Sequence, residues 1–288
     1  MAITYINING EIVVDSKPVL TTGNRGFRYG DGIFETMRWA DEDIRFLDYH
    51  LERLRESMHM LHLEGSHLYS VDFLREKAAE LVQKNNFKAD VRLRLGIYRG
   101  GGGLYSPEIN KAAYVMEASD LSATEHKSGL IVDIYAEYRK PVSSLSKLKS
   151  ANSLLYVMAG LYRKQKGLDE VIILNQNGFL CESGSSNLFV WYENKLYTPA
   201  VSEGCIAGVM RRVVIELALG NDIQVIEAQI NPDILQLADE LFLTNAIHGI
   251  QWVMGYKKKR YFNRISKLLQ EKLNNWPVKT DTPEETHQ

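Results

Sequence analysis

Glu170-Val171-Ile172-Ile173-Leu174, Phe179-Leu180-Cys181-Glu182, Asn187-Leu188-Phe189-Val190-Trp191 and Lys195-Leu196-Tyr197-Thr198 follow one another with only short polar breaks between them. Each run is too short for a helix and is rich in β-branched and aromatic side chains. Asn175-Gln176-Asn177-Gly178 and Gly184-Ser185-Ser186 supply the turns. Such a series reads as an antiparallel sheet, closed or highly curved. Just upstream, Leu154-Leu155-Tyr156-Val157-Met158-Ala159 opens a helix expected to run to about Lys166, preceded by the strand Leu130-Ile131-Val132-Asp133-Ile134-Tyr135. Just downstream, Val213-Val214-Ile215-Glu216-Leu217-Ala218 has a helical pattern and Glu240-Leu241-Phe242-Leu243-Thr244-Asn245-Ala246 a strand pattern.

Toward the N-terminus the pattern changes. Tyr5 to Val14 reads as strand, turn and strand, and Gly32 to Trp39 alternates with period two. Leu51, Leu54, Met58 and Leu61 recur at helical spacing within 48–62, and 71–85 forms a second amphipathic helix. Strands follow at Val91-Arg92-Leu93-Arg94-Leu95-Gly96-Ile97-Tyr98 and Tyr114-Val115-Met116-Glu117-Ala118. The polar stretch 122–129 is the expected linker. The fold class is therefore α/β (α+β, two domains): a small N-terminal α/β domain over 1–121, a larger C-terminal domain with a curved, barrel-like sheet over 130–276, and a polar tail over 277–288.

With 288 residues, 45% hydrophobic and 24% charged, the composition is that of a soluble protein with room for two cores. Lys plus Arg number 34 against 36 Asp plus Glu, a net charge of -2 that gives no reason to expect nucleic acid or an anionic membrane as partner. A small-molecule substrate is expected. Met1-Ala2-Ile3-Thr4 lacks a basic leader, and no stretch approaches a membrane span, so a cytoplasmic location is expected. Cys181 and Cys205 lack metal-ligand spacing and fit a reducing compartment.

Chemistry is concentrated in a few places. Lys149, in Lys149-Ser150-Ala151-Asn152, stands at the head of the apolar run from Leu154. A lysine delivered to the edge of a core is a candidate Schiff-base amine, since desolvation disfavours its ammonium form; the plain alternative is a solvated lysine at a helix start. Glu182 sits between a strand and a turn of small residues, where it could hold a heterocyclic nitrogen protonated or simply face water. Gly204-Cys205-Ile206-Ala207-Gly208-Val209-Met210-Arg211 leads into a helix whose free N–H groups can cradle a phosphate. Thr244 and Asn245, at a strand end, offer a second rim for that cup. Arg53, on the helix of Leu51 and Leu54, can clamp the same anion or pair with Glu52 or Glu56. His59, His62 and His67 have no cysteine or acidic trio to complete a metal site, and Lys257-Lys258-Lys259-Arg260 reads as a solvated turn. Tyr105, Tyr135 and Tyr138 line a pocket or, as strand aromatics commonly do, fill a core.

Gly30-Asp31-Gly32-Ile33-Phe34-Glu35, His50-Leu51-Glu52-Arg53-Leu54, Lys149-Ser150-Ala151-Asn152, Glu182 with Ser183 to Phe189, and Gly204 to Arg211 occur in an order that resembles the class IV aminotransferases. These are the fold-type IV pyridoxal-phosphate enzymes, and the likeness spans roughly residues 3 to 255. It implies two α/β domains with pyridoxal 5'-phosphate between them, in a homodimer. It implies that Lys149 bonds the cofactor and that Glu182 pairs with its pyridine nitrogen. It also implies that Arg53, the backbone N–H groups of Val209 and Met210, and Thr244 or Asn245 hold the phosphate. Branched-chain transaminases carry an aromatic hydroxyl five residues after the lysine, where this chain has Leu154, leaving the ring-hydroxyl partner unassigned.

Within the family, Tyr98-Arg99-Gly100-Gly101-Gly102-Gly103-Leu104-Tyr105-Ser106-Pro107 and Thr244-Asn245-Ala246-Ile247-His248-Gly249-Ile250 resemble segments of aminodeoxychorismate lyase. The resemblance implies that Arg99 binds the substrate carboxylate, that Asn245 assists it and that Phe34 lines the substrate site, although the lyase loop usually has arginine where Leu104 stands. The favoured activity is release of 4-aminobenzoate and pyruvate from 4-amino-4-deoxychorismate. The alternatives are an amino acid transaminase, of D-amino acid or branched-chain type with 2-oxoglutarate as acceptor, and a cofactor-binding protein without activity. The glycine run equally suits a hairpin tip without a ligand.

Overall fold

A computed structural model describes residues 4–17, 20–121 and 129–276. Its first sheet is antiparallel throughout and has six strands: β1 (Tyr5–Ile8), β2 (Glu11–Val14), β3 (Gly32–Ala40), β4 (Asp43–Ile44), β5 (Val91–Arg99) and β6 (Ala112–Asp120), in the order β2-β1-β6-β5-β3-β4. In β5 every second side chain, Val91, Leu93, Leu95 and Ile97, is buried, because one face of the sheet is covered and the other is not. The cover is α2 (Leu47–Met60) and α3 (Val71–Lys84), whose stripes of Leu51, Leu54 and Met58 and of Leu74, Ala78 and Leu81 complete the core; a short α1 (Arg25–Tyr29) precedes β3. Ser70 caps α3, its hydroxyl accepting the Phe73 N–H at 3.1 Å.

The second sheet has nine strands: β7 (Leu130–Lys140), β8 (Glu170–Asn175), β9 (Leu180–Ser183), β10 (Asn187–Tyr192), β11 (Lys195–Pro199), β12 (Val225–Ala228), β13 (Glu240–Asn245), β14 (Gly249–Tyr256) and β15 (Lys259–Arg260). Their order is β12-β11-β10-β13-β14-β7-β8-β9 with β15 on β14, and the sheet curls so that β9 lies against β10 and β11. The expected curved sheet is present, but it is mixed rather than antiparallel. β7 with β8 and β11 with β12 are parallel because α4 (Leu154–Lys166) and α5 (Val209–Leu219) are crossover helices returning the chain in the same direction, and β14 with β7, far apart in sequence, is parallel as well. β8 is apolar on both faces for the same reason. Ile172 points into the curled sheet's interior, whereas Val171 and Ile173 meet α4. α6 (Ile234–Leu237) and α7 (Arg264–Asn274) complete the second half, with α7 packing beside α5.

The two halves are stitched together where the chemistry lies. Phe34 N–H donates to the Lys149 carbonyl at 2.9 Å and Ala151 N–H to the Gly32 carbonyl at 2.9 Å, a short antiparallel bridge between β3 and the Lys149 segment. Gly30, at φ 64°, is required there, since a Cβ would lie 2.5 Å from Asn152 Oδ1. Apart from Gly129 the expected linker falls outside the described residues, as does the tail 277–288. Among the described residues no helix is long and apolar enough to cross a membrane.

Candidate active site

A cavity of about 540 Å3 opens between the two sheets. Lys149, Glu182, Arg53, Phe34, Val209, Met210, Thr244 and Asn245, drawn from six separate stretches of sequence, all line it. Lys149 points its amine over the Phe34 ring, 4.5 Å from the centroid. Burial, reinforced by the positive charges of Arg53 and Arg92, brings its pKa down to about 8 in spite of Glu35 and Glu182. The amine therefore loses its proton far more readily than an exposed lysine, although the ammonium form still predominates at pH 7.

Glu182 is buried and held by three donors. Its Oε1 accepts from Lys140 Nζ and, at 2.6 Å, from the Tyr156 hydroxyl, while Oε2 accepts the Ile206 N–H at 2.8 Å. A carboxylate has about four acceptor positions, so one remains toward the cavity. Burial and the adjoining Glu182 charge raise the Tyr156 phenol, which stays a donor. Tyr156 and Lys140 did not stand out in the sequence. Leu154, in contrast, is 73% exposed and turned away, and the aromatic hydroxyl at the site comes from Tyr156, one half-turn further along α4.

The opposite end of the cavity is built to receive an anion. α5 begins at Val209 directly after Gly208, with no side chain capping its first N–H groups. A Cβ on Gly208 would lie 1.9 Å from Asn187 Oδ1, so only glycine lets the chain approach. The Thr244 hydroxyl faces the same region, buried with no hydrogen-bond partner among the described residues. Asn245 is more engaged: its Oδ1 accepts the N–H groups of Ile247 (3.0 Å) and His248 (2.8 Å), and its Nδ2 donates to Ser186 Oγ at 3.0 Å. Arg53 pairs with neither Glu52 nor Glu56. Its Nε donates to Glu35 Oε1 at 2.8 Å, Nη2 to Glu35 Oε2, and Nη1 to the Ala207 carbonyl at 3.1 Å, leaving two of a guanidinium's five N–H groups for a ligand. Behind it, His50 Nδ1 lies 2.7 Å from Glu35 Oε2. Burial pushes the Glu35 carboxyl up, but Arg53 and His50 outweigh this and hold it at about 2.

Arg99 is not brought to the cavity. It is buried on the far side of β5, with Nε on Asp31 at 2.9 Å, Nη1 on Asn110 Oδ1 at 2.7 Å and Nη2 on the Leu61 carbonyl at 2.6 Å. Asp31 also takes Arg25, whose guanidinium is in turn wrapped by the carbonyls of Gly102, Gly103 and Leu104. The glycine run thus encloses a buried arginine of this chain, and Tyr105 beyond it is 89% exposed. Besides Lys149 and Arg53, Arg92 lines the cavity, with Thr36 and Leu121, and its side chain has no ion pair or hydrogen bond to any described residue. Period two was the signal: Arg99 shares the face of Val91, Leu93, Leu95 and Ile97, and Arg92 lies on the other. Tyr135 is fully buried in the core under α4, and Tyr138 is half exposed. Both cysteines are buried free thiols, and no group of metal-ligating side chains is present among the described residues.

The family description "Amino-transferase class IV" matches residues 32–255, which include every one of these cavity residues. The chain belongs to the class IV aminotransferases. Class IV aminotransferases are enzymes that depend on pyridoxal 5'-phosphate, and the unsatisfied Thr244 hydroxyl, the uncapped α5 and the Lys149–Glu182 pair suit its phosphate, aldehyde and ring. Among class IV relatives, the aminodeoxychorismate lyase of Bacillus subtilis (strain 168) is 29% identical over 252 residues, covering 84% of this chain and 83% of its own. The branched-chain-amino-acid aminotransferase of Escherichia coli (strain K12) is 27% identical over 253 residues, covering 83% and 81%. The crystal structure of the branched-chain aminotransferase from Thermoproteus uzoniensis with norvaline shares the fold, with TM-score 0.83 at 24% identity over 95% of this chain and 94% of that one.

Proposed function

We propose that this enzyme is an amino acid aminotransferase that uses 2-oxoglutarate as acceptor. Arg92 carries the reading. An aminotransferase must pass two substrates through one pocket, and here an apolar wall of Phe34, Leu121 and Ile247 stands beside a guanidinium with no partner among the described residues. The wall suits an apolar side chain and the cation suits the second carboxylate of a dicarboxylate acceptor. Pyridoxal 5'-phosphate supplies an aldehyde for the incoming amine and a ring that accepts the electrons of the adjacent C–H bond. Arg53, the Val209 and Met210 N–H groups, Thr244 and Asn245 hold its phosphate. Glu182 keeps the ring nitrogen protonated, and the Lys149 amine, which burial makes easier to deprotonate, removes and returns the substrate proton. The working form is a homodimer, and its two buried thiols suit a reducing compartment such as the cytoplasm.

The second reading is 4-amino-4-deoxychorismate lyase. It is favoured by the Thr244 to His248 segment, which resembles the lyases and lines the cavity, and by the Bacillus subtilis relative. Its other support, a carboxylate on Arg99, is weakened, since Asp31, Asn110 and the Leu61 and His62 carbonyls take four of that arginine's five N–H groups. Product analysis separates the two. Aminotransferase activity gives a keto acid and glutamate from an apolar amino acid plus 2-oxoglutarate. Arg92→Gln then raises KM for 2-oxoglutarate roughly tenfold to hundredfold, the value of a charge-assisted bond, with little effect on pyruvate as acceptor. Pyruvate and 4-aminobenzoate from aminodeoxychorismate, with no glutamate formed in the first assay, would replace this reading with the lyase.

A further inference from the structure

A second cavity, of about 340 Å3, shares Met210, Ala246, Ile247 and His248 with the first but is lined by neither Lys149, Glu182 nor Arg53. Two arginines meet in it, Arg38 from β3 and Arg45 from the loop after β4, and no aspartate or glutamate lines it. Arg38 is partly committed: Nε donates to Asp90 at 2.7 Å, Nη2 to the same carboxylate, and Nη1 to the Ile247 carbonyl at 3.1 Å. Arg45 has no carboxylate partner among the described residues. Its Nη2 reaches only the Leu273 carbonyl at 3.4 Å, and its guanidinium lies 5.3 Å from the centroid of the Phe46 ring. Burial and the neighbouring charge of Arg38 work against its charged form and outweigh the charges of Asp41 and Asp90, which favour it without bonding to it.

We propose that this cavity is an anion-binding site that takes a small carboxylate or phosphate between Arg45 and the uncommitted N–H groups of Arg38. Both anions present oxygen pairs that match a guanidinium fork, and a concave wall with two arginines and only one paired carboxylate, Asp90, concentrates them. The site shares four wall residues with the active cavity and is tied to that shared wall by a hydrogen bond. Arg38 donates to the carbonyl of Ile247, whose turn is braced from the other side by Asn245 and forms part of the active-site wall. An anion that draws Arg38 toward it competes for that donor, so occupancy changes substrate KM, and by reciprocity substrate changes anion affinity. The inference does not depend on which reaction the enzyme performs.

The test uses holoenzyme whose cofactor has been fixed to Lys149 by borohydride, so that the phosphate cup of the active site is filled. Inorganic phosphate and, separately, acetate are titrated in by calorimetry. Saturable one-site binding of either is expected, weakened at least about tenfold in Arg45→Gln, less in Arg45→Lys, which keeps the charge without the fork, and unchanged in Arg92→Gln. Binding of phosphate alone identifies a phosphorylated ligand, and binding of acetate as well a carboxylate. Heats that do not saturate for either anion overturn the site, as does equal binding by wild type and an Arg45→Gln protein of unchanged melting temperature. Because Arg92 stands opposite Arg38 in the β3–β5 register, loss of binding in Arg92→Gln together with unchanged binding in Arg45→Gln assigns it to the active cavity instead.

Discussion

Glu35 keeps a negative charge in a place almost closed to water, and it does so because Arg53 and His50 donate to it from the same helix. Its carboxyl is held at about 2 against an ordinary 4.5, so the folded state binds fewer protons than the unfolded chain between those values. The stability this supplies is complete above pH 4.5 and is lost as pH falls toward 2, a loss of up to about 3 kcal/mol for the shift involved. His50, buried and depressed below 6.5, acts in the same direction from 6.5 downward, because only the unfolded chain takes up its proton there. Urea denaturation of Glu35→Gln and wild type at pH 3 and pH 5 checks this. The variant is less stable at pH 5, and the gap narrows at pH 3; a gap independent of pH would remove Glu35 from the acid limb. Neither Glu35 nor Lys140 or Tyr156 stood out in the sequence, because each acts through a partner many residues away. Lys149 and Glu182 did stand out, since each is a polar group set against an apolar run, visible without knowledge of the fold.

At the scale of elements the strands were legible and their directions were not. Alternation and turn residues mark β8 to β11 in the sequence, but a parallel join depends on which strand the chain returns to after α4 or α5, a long-range choice with no local signature. α5 itself begins at Val209, earlier than its clear pattern from Val213, because its first turn is defined by what it approaches rather than by periodicity. Gly208 is the hinge of that approach. Its φ of -70° suits any residue, so Gly208→Ala acts by crowding alone, driving a methyl into Asn187 and moving the helix start. Overpacking of this kind costs about 1–3 kcal/mol, which predicts pyridoxal phosphate affinity weaker by roughly tenfold or more in a spectrophotometric titration. Gly160→Ala on α4 is the control, since nothing lies within 4 Å of its added Cβ and alanine favours the helix. Equal affinity in wild type and Gly208→Ala would mean that the α5 terminus does not bear on the cofactor.

The whole molecule leaves one helix only half covered. The inner side of α4, through Leu155, Tyr156, Met158, Ala159 and Tyr162, packs on the Tyr135 core, yet Leu154, Val157 and Leu161 are more than half exposed on its outer side at helical spacing. A helix that is apolar on both sides is normally buried on both. Exposed Leu145 and Tyr105 line a surface cleft together with Asn152, directly before α4, so the bare surface continues across the join between the two halves. A second copy of the chain is the occupant that fits. The charged residues of that cleft, Arg25, Asp31 and Arg99, are paired with one another, and it adjoins the Lys149 segment at Ser150, where a partner subunit would close the mouth of the active cavity. Light scattering is therefore expected to give twice the 32.8 kDa mass of one chain. The double variant Leu154→Glu with Leu161→Glu places four carboxylates across a two-fold contact and yields monomers that keep their circular dichroism. Those monomers are expected to lose turnover more than cofactor binding, because the phosphate cup is built within one chain and the proposed contact lies at the cavity mouth. A monomeric wild type, or a double variant that remains dimeric, would assign this face to something other than self-association.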